Sequence, residues 1–184
     1  MYFIKQAARI IQNGGIISYP TESVFGLGCD PLSEIAVKRI LKLKQRSVDK
    51  GLIIIAGTLQ QLIPYIKLCE SEKEIILKEK SATTWLMKKS ELTPHWVSGA
   101  HKKVAVRISQ HPLVINLCAE LNQPIISTSA NPAGATPALT SQQSETYFST
   151  KVDYYLQDNT PLSGRPTPIK DIETGQIFRH GHSE

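Results

Sequence analysis

Cysteine is scarce in this 184-residue chain: Cys29, Cys69 and Cys118 lie far apart and are odd in number. No pair has metal-ligand spacing, and a disulfide framework is not expected. Long apolar runs are missing too. The longest is five residues, Leu52 to Ala56, far short of a membrane-spanning segment. Met1 to Arg9 holds no basic stretch leading into an extended apolar run, so no secretory leader is expected. Aromatic residues are 7%, and none are interleaved with basic residues as a stacking platform for nucleic acid would require. There is no internal repeat and no low-complexity tract. No Gly-Lys-Ser/Thr completes a Walker loop, and no Gly-x-Ser-x-Gly offers a nucleophile elbow. His95, His101, His111, His180 and His182 show no metal spacing, and surface or capping roles are expected for each. These absences leave a reduced, cytoplasmic, soluble protein as the expectation.

What is present is ordinary in amount: 41% hydrophobic and 20% charged residues, enough to bury a core without staples. Lys plus Arg is 21 against 16 acids, a formal charge of +5. That excess permits anionic ligands such as nucleotides or RNA without requiring them.

Apolar spacing predicts a helix over Phe3 to Gln12, stopped by Asn13-Gly14-Gly15. A short buried strand follows at Ile16 to Tyr19, then a loop-rich stretch from Pro20 to Pro31. A helix starts at Ser33, a strongly apolar strand covers Gly51 to Ala56, and a short helix covers Thr58 to Ile66. Ser71-Glu72-Lys73-Glu74 has the form of a capping box for a helix reaching about Lys80. Strands are expected at Thr83 to Met87, Lys103 to Ile108, Pro124 to Ser127 and Val152 to Leu156, and helices at Pro112 to Leu121 and Thr140 to Phe148. Loops are expected at Ser90 to His101, Asn131 to Pro137 and Pro161 to Pro168. Thr174-Gly175 turns a C-terminal hairpin. Interleaved helices and strands imply an α/β class with a mixed sheet, and the lack of a linker implies a single domain over residues 1–184.

Three constellations carry polar chemistry. Lys44-Gln45-Arg46, flanked by Lys42 and Lys50, crowds four cations into nine residues. If the helix ends near Leu43, an extended Lys44–Arg46 segment aims both side chains the same way, toward phosphate or carboxylate. A solvated helix end, where cations complement the dipole, is the reading that spacing alone favours. Ser127-Thr128-Ser129-Ala130-Asn131 places hydroxyls and an amide after an apolar strand, where open α/β sheets bind ligands, although turn chemistry also explains it. Tyr19 to Pro31 follows another short strand. Its Gly26-Leu27-Gly28 could mark only a tight bend, and Cys29 reads as a small buried residue rather than a nucleophile. Glu22 and Asp30 are the nearest acids.

Taken together, Tyr19-Pro20-Thr21-Glu22-Ser23-Val24-Phe25-Gly26-Leu27-Gly28, Lys44-Gln45-Arg46 with Lys50-Gly51-Leu52, and Ser127-Thr128-Ser129-Ala130-Asn131 resemble the YrdC/TsaC family of threonylcarbamoyl-AMP synthases. Ala105-Val106-Arg107-Ile108 with His111-Pro112, and Thr174-Gly175 followed by Phe178-Arg179, extend the resemblance over nearly the whole chain. Its length is similar to the short, single-domain bacterial form.

The resemblance implies a twisted α/β sheet with flanking helices around a large, positively charged cavity. It implies conversion of L-threonine, bicarbonate and ATP to L-threonylcarbamoyl adenylate and pyrophosphate. Partner transferase proteins would then modify adenosine 37 of tRNA. Lys44 and Arg46 are the expected catalytic residues. Lys50, Ser129 and Asn131 are expected at the nucleotide, and Thr21 and Arg107 at threonine or the carbamate. Mg²⁺ is expected to be held mainly by phosphates. The synthase reading leaves room for direct tRNA or double-stranded RNA binding, and the competing reading is a non-catalytic RNA-binding module using the same basic cavity. A carbamoyl-transfer domain of hydrogenase-maturation type is the third, although the chain lacks that type's acylphosphatase-like and zinc-finger parts. One stretch departs from the family. Lys80-Ser81-Ala82-Thr83-Thr84 stands where Pro-Gly-Pro-x-Thr is usual, so a less rigid and more cationic loop is expected.

Overall fold

The structure, a computed structural model, describes residues 2–158 and 160–181; His182 lies outside the described residues. Helix α1 (Tyr2–Gln12) buries Ile4, Ala7, Ala8 and Ile11 on one stripe, the i, i+3, i+4, i+7 spacing of an amphipathic helix. Its chain reverses through Gly14, whose φ of +78° suits glycine. Strands β1 (Ile17–Pro20) and β2 (Phe25–Gly28) then form an antiparallel hairpin. Next come α2 (Glu34–Leu43), β3 (Ile53–Ala56), α3 (Leu59–Leu62), α4 (Glu70–Lys78), β4 (Thr84–Lys88), α5 (His95–Ser98) and β5 (Lys103–Ile108). The chain closes with α6 (Pro112–Leu121), β6 (Ile125–Ser129), α7 (Ser141–Phe148), β7 (Tyr154–Tyr155), β8 (Ile169–Asp171) and β9 (Ile177–Arg179).

The nine strands form one mixed sheet in the order β7-β1-β2-β6-β3-β5-β4-β8-β9. The β3–β5, β1–β7 and β4–β8 pairs are parallel and the others antiparallel. Its central strands carry continuous apolar runs because both faces are covered. Ile54 and Ile126 are cross-strand partners in one core, with Phe25, Leu27, Ile40, Met87 and Val106. Their neighbours Ile55 and Ile125 pair on the opposite face, against α1 and α6, with Ile4, Ile11, Val114 and Leu117.

Several local expectations change. The segment read as loop from Pro20 to Pro31 contains β2, which alternates Phe25 and Leu27 into one core while its glycines face the Tyr19 ring. A Cβ on Gly28 would lie 2.6 Å from Tyr19 Cε1 and 2.7 Å from the Ile126 carbonyl, so this glycine permits close packing inside a strand rather than marking a bend. Gly28→Ala is therefore expected to destabilise the fold by about 1–3 kcal/mol, read from urea denaturation.

The helix cap near residue 70 sits two residues earlier than predicted, with the Cys69 amide donating to Glu72 Oε2 at 3.0 Å. Helix α5 interrupts the stretch read as a loop between Ser90 and His101. The strand expected over Val152 to Leu156 contracts to two residues, because it meets β1 only at the sheet edge. Strand β6 runs on to Ser129, where Ser129 pairs with Gly26 and Thr128 with Leu27. No helix among the described residues is long and apolar enough to cross a membrane.

Candidate active site

A cavity of about 850 Å³ lies against the sheet, reached by Gly26, Ile53, Leu86, Ala105, Ser129 and Ile169 from six different strands. Loops complete its wall. Thr21, Arg46, Lys50, Arg107 and Ser129 line it, whereas Lys44 and Asn131 lie behind that lining.

The local conformation at the end of α2 explains the separation of Lys44 from Arg46. The expected extended segment is absent. Lys44 is a helical C-cap (φ −85°, ψ −6°) and Gln45 has φ +50°. The Gln45 amide donates to Lys42 O at 3.1 Å and the Arg46 amide to Leu41 O at 2.9 Å, a Schellman motif. The left-handed residue between the two cations sends them apart. Lys44 is 7% exposed, and its Nζ donates to Ser129 O, to Asn131 O (2.8 Å) and to Asn131 Oδ1 (3.2 Å). Burial first, and the nearby Arg46 charge second, push its pKa down to about 8.

Arg46 turns to the loop that follows. Its Nε and Nη2 donate to Gly51 O (3.3 and 2.9 Å), and Nη2 also donates to Lys50 O (3.2 Å). Burial lowers its pKa from the ordinary arginine value. This loop rests on α5: the Leu52 amide donates to Val97 O at 2.8 Å. Gly99, with φ +61°, has no room for a Cβ, which would lie 2.5 Å from the Val48 and Asp49 carbonyls.

The remaining predicted residues are committed locally to differing degrees. Thr21 Oγ1 donates to Val24 O at 2.7 Å and accepts from the Ser23 and Val24 amides, closing the β1–β2 turn. Asn131 Nδ2 donates to Ala135 O at 2.6 Å and Pro132 O at 3.1 Å, closing the turn after β6. Ser129 keeps its hydroxyl at the cavity, 3.4 Å from Lys44 Nζ. Arg107 is 5% exposed, and its Nε donates to Thr84 Oγ1 at 3.0 Å. Burial lowers its pKa, which the Glu22 charge partly offsets.

Sequence reasoning gave no role to Arg179, which also lines the cavity. Its Nε donates to Thr167 O at 2.9 Å and its Nη2 to Thr167 Oγ1 at 3.4 Å, and Thr167 Oγ1 lies 3.2 Å from Thr84 Oγ1. Two threonine hydroxyls thus connect the two arginines. Lys102, Lys103 and His101 join the wall as well. Lys103 is paired there with Asp171 (2.7 Å) and Glu173 (2.5 Å). Their pattern signal was slight: a short basic run at the start of β5 and one arginine at the end of β9. Cys29 packs in the core rather than on the cavity wall, and burial raises its thiol pKa. His111 caps α6, its Nδ1 accepting from the Leu113 amide at 3.3 Å.

The unusual Lys80–Thr84 stretch is tethered without the prolines. Glu79 Oε1 accepts from the Ser81 hydroxyl (2.6 Å) and amide (3.1 Å), and Oε2 accepts from Lys170 Nζ (2.9 Å). Lys80 O accepts from Gln110 Nε2 at 2.6 Å. The Ser81 hydrogen bond, then Lys170, hold the Glu79 carboxyl at about 2, below its ordinary 4.5. A lowered carboxyl pKa stabilises the fold above the unfolded value and loses that contribution as pH falls through the folded one. The urea midpoints of wild type and Glu79→Gln should therefore converge as pH falls from about 5 to about 2.

The Sua5/YciO/YrdC family model, described as telomere recombination, matches residues 9–181. A threonylcarbamoyl-AMP synthase of Pseudomonas aeruginosa (strain UCBPP-PA14) is 47% identical over 180 residues, covering 94% of each chain. One of Vibrio campbellii is 41% identical over 182 residues, 96% of this chain and 98% of that one. Among solved structures, Sua5 of P. abyssi complexed with L-threonine superposes with a TM-score of 0.91 at 30% identity. That match covers 98% of this chain and 54% of the other, so this chain spans about half of the archaeal protein. YciO of E. coli, at 23% identity and a TM-score of 0.87, matches in fold over 100% of this chain and 91% of its own. The chain belongs to the Sua5/YciO/YrdC family, a mixed α/β fold with a twisted sheet and flanking helices.

Proposed function

We propose that this chain is a threonylcarbamoyl-AMP synthase, carried by a single unit over residues 1–184. The observation that carries the reading is the convergence of Arg46 and Lys50 from one loop with Arg107 and Arg179 from two strands on a single cavity. The near full-length identity to synthases supports it. The threonine amine and bicarbonate combine to a carbamate with loss of water. A carbamate oxygen then bonds to the α-phosphorus of ATP as the bond to pyrophosphate breaks. Both partners are anionic, so the step needs positioning and fixed positive charge more than covalent catalysis.

In this reading Arg46 and Lys50 meet the phosphates, with Ser129 giving the nucleotide a neutral hydrogen bond. Arg107 takes an anionic group of threonine or the carbamate beside the Thr21 turn. The Thr21 hydroxyl is spent on that turn, so its share is to shape the wall. Lys44 and Asn131 act from behind it by fixing the end of β6, which presents Ser129, and the turn that follows. Among the described residues no three acidic, His or Cys side chains are grouped to hold a metal, and Asp171, on the cavity wall, is bound to Lys103. Mg²⁺ therefore fits as part of the ATP substrate complex rather than as a resident ion. The three cysteines are unpaired, which suits a reducing cytoplasm. Transferase proteins that modify tRNA position 37 would consume the adenylate, and direct tRNA contact at the cavity rim belongs to the same proposal.

The test is pyrophosphate release from ATP by the full chain, with L-threonine and bicarbonate each supplied or withheld. Release that needs both is the expected result. Release independent of threonine, or none from folded protein, overturns the assignment.

A further inference from the structure

The proposed chemistry leaves one partly buried carboxylate unused. Glu22 Oε1 accepts three hydrogen bonds, from the Ser109 hydroxyl (2.5 Å), the Gln110 amide (2.6 Å) and the His111 amide (3.1 Å). Its other oxygen, Oε2, is buried and has no hydrogen-bond partner among the described residues. Arg107 Nη1 lies 3.9 Å from that oxygen, with the two side chains 6% and 16% exposed. This is too long for a hydrogen bond but close enough for strong attraction between buried charges. Arg107 lines the cavity, as do Thr21 and Ser23 on either side of Glu22, while Glu22 does not. Among the described residues, Arg107 has one hydrogen bond, from Nε to Thr84, so its terminal nitrogens donate to no protein acceptor.

The three donors on Oε1 explain the gap. They anchor the carboxylate to the turn between β5 and α6 and hold it back from closing on the guanidinium. They also keep it ionised: burial raises its pKa, but the Ser109 hydrogen bond and the Arg107 charge outweigh that and leave it below the ordinary value. A buried guanidinium needs a counter-charge. A counter-charge in direct bidentate contact would commit both terminal nitrogens, whereas one held at arm's length neutralises them and leaves them available.

We propose that Glu22 is a positioning residue that acts through Arg107: it is the internal counter-ion of the guanidinium, neutralising it from a distance while its terminal nitrogens stay free, and so offsetting their attraction for an anionic ligand. The inference deepens the proposed function, and rests on that reading only for the identity of the anion. Glu22 thereby sets ligand affinity below what Arg107 alone would give, which favours release after turnover.

Glu22→Gln keeps an oxygen for the three donors and removes the charge. It is expected to lower the melting temperature of the unliganded protein by several degrees. By calorimetric titration it should bind L-threonine or inorganic pyrophosphate about three- to tenfold more tightly than wild type. A group that only docks the loop would weaken or leave unchanged both affinities, so failure of both ligands to bind more tightly overturns the proposal. The double variant Glu22→Gln/Arg107→Met removes both charges and should be more stable than Glu22→Gln. A double variant that is no more stable overturns the proposal even where Glu22→Gln alone folds poorly. None of these readouts needs turnover. Tighter anion binding in Glu22→Gln, alongside a wild type that releases no pyrophosphate with threonine, would retain the counter-ion and reject the synthase assignment.

Discussion

Arg46→Ala is expected to lower kcat/KM for threonine-dependent pyrophosphate release by about 10²- to 10³-fold, the usual effect of removing one preorganised charge contact in a transition state. Two losses coincide. The guanidinium lines the cavity where the triphosphate would lie. It also holds the Lys50 and Gly51 carbonyls, so Lys50 loses its fixed position. Lys is not an equivalent replacement, because one ammonium cannot span both carbonyls in the planar geometry of the fork. Arg46→Lys should therefore recover only part of the activity. Steady-state kinetics with ATP varied would separate the two losses: a raised KM reports lost phosphate binding, and a lowered kcat reports charge needed in the transition state. Unchanged kinetics in Arg46→Ala would remove Arg46 from the site.

The second large effect is expected at Lys44, through stability as well as activity. Lys44→Met fills most of the volume but leaves Ser129 O, Asn131 O and Asn131 Oδ1 without the donor they share. Stranding these part-buried acceptors should cost about 1–3 kcal/mol in urea denaturation. Activity should fall more than tenfold, because the end of β6, which presents Ser129 to the cavity, loses its clamp. The two substitutions then differ in signature. Arg46→Ala should reduce catalysis with a smaller change in stability, and Lys44→Met should reduce both together. A Lys44→Met protein as stable as wild type would overturn the clamp.

The α/β class and most of the elements were legible in the chain because they depend on local periodicity, whereas the motifs of the site were legible only through their combined resemblance to a family, each one alone being explained as well by turn or helix-end chemistry. The stripe of Ile4, Ala7, Ala8 and Ile11 predicts a buried helix face, and the structure buries those four. The alternation of Val104 and Val106 predicts a strand, and both are buried in β5. Strand β2 was not legible. Its glycines resemble a bend until the Tyr19 ring, supplied by the neighbouring strand, shows why no Cβ is tolerated at Gly28. The shift of the α4 cap by two residues has the same kind of cause: two overlapping acidic patterns were available, and the amide of Cys69 selected Glu72.

At the site the division is sharper. Sequence alone determined which charges and hydroxyls exist, and that they fall at the ends of strands and helices. It did not determine which of them face the cavity. Lys44 and Arg46 are two residues apart, yet one points into a buried clamp and the other to the cavity wall, because a left-handed Gln45 rotates the chain between them. Arg107 and Arg179 are brought to one wall by the pairing of β5, β4, β8 and β9 and are connected by Thr84 and Thr167. Glu22 meets its three donors 87 to 89 residues along the chain. Local patterns act through backbone geometry over a few residues, whereas a buried charge is neutralised by whatever the fold brings within a few ångströms. That choice of partner belongs to the tertiary structure.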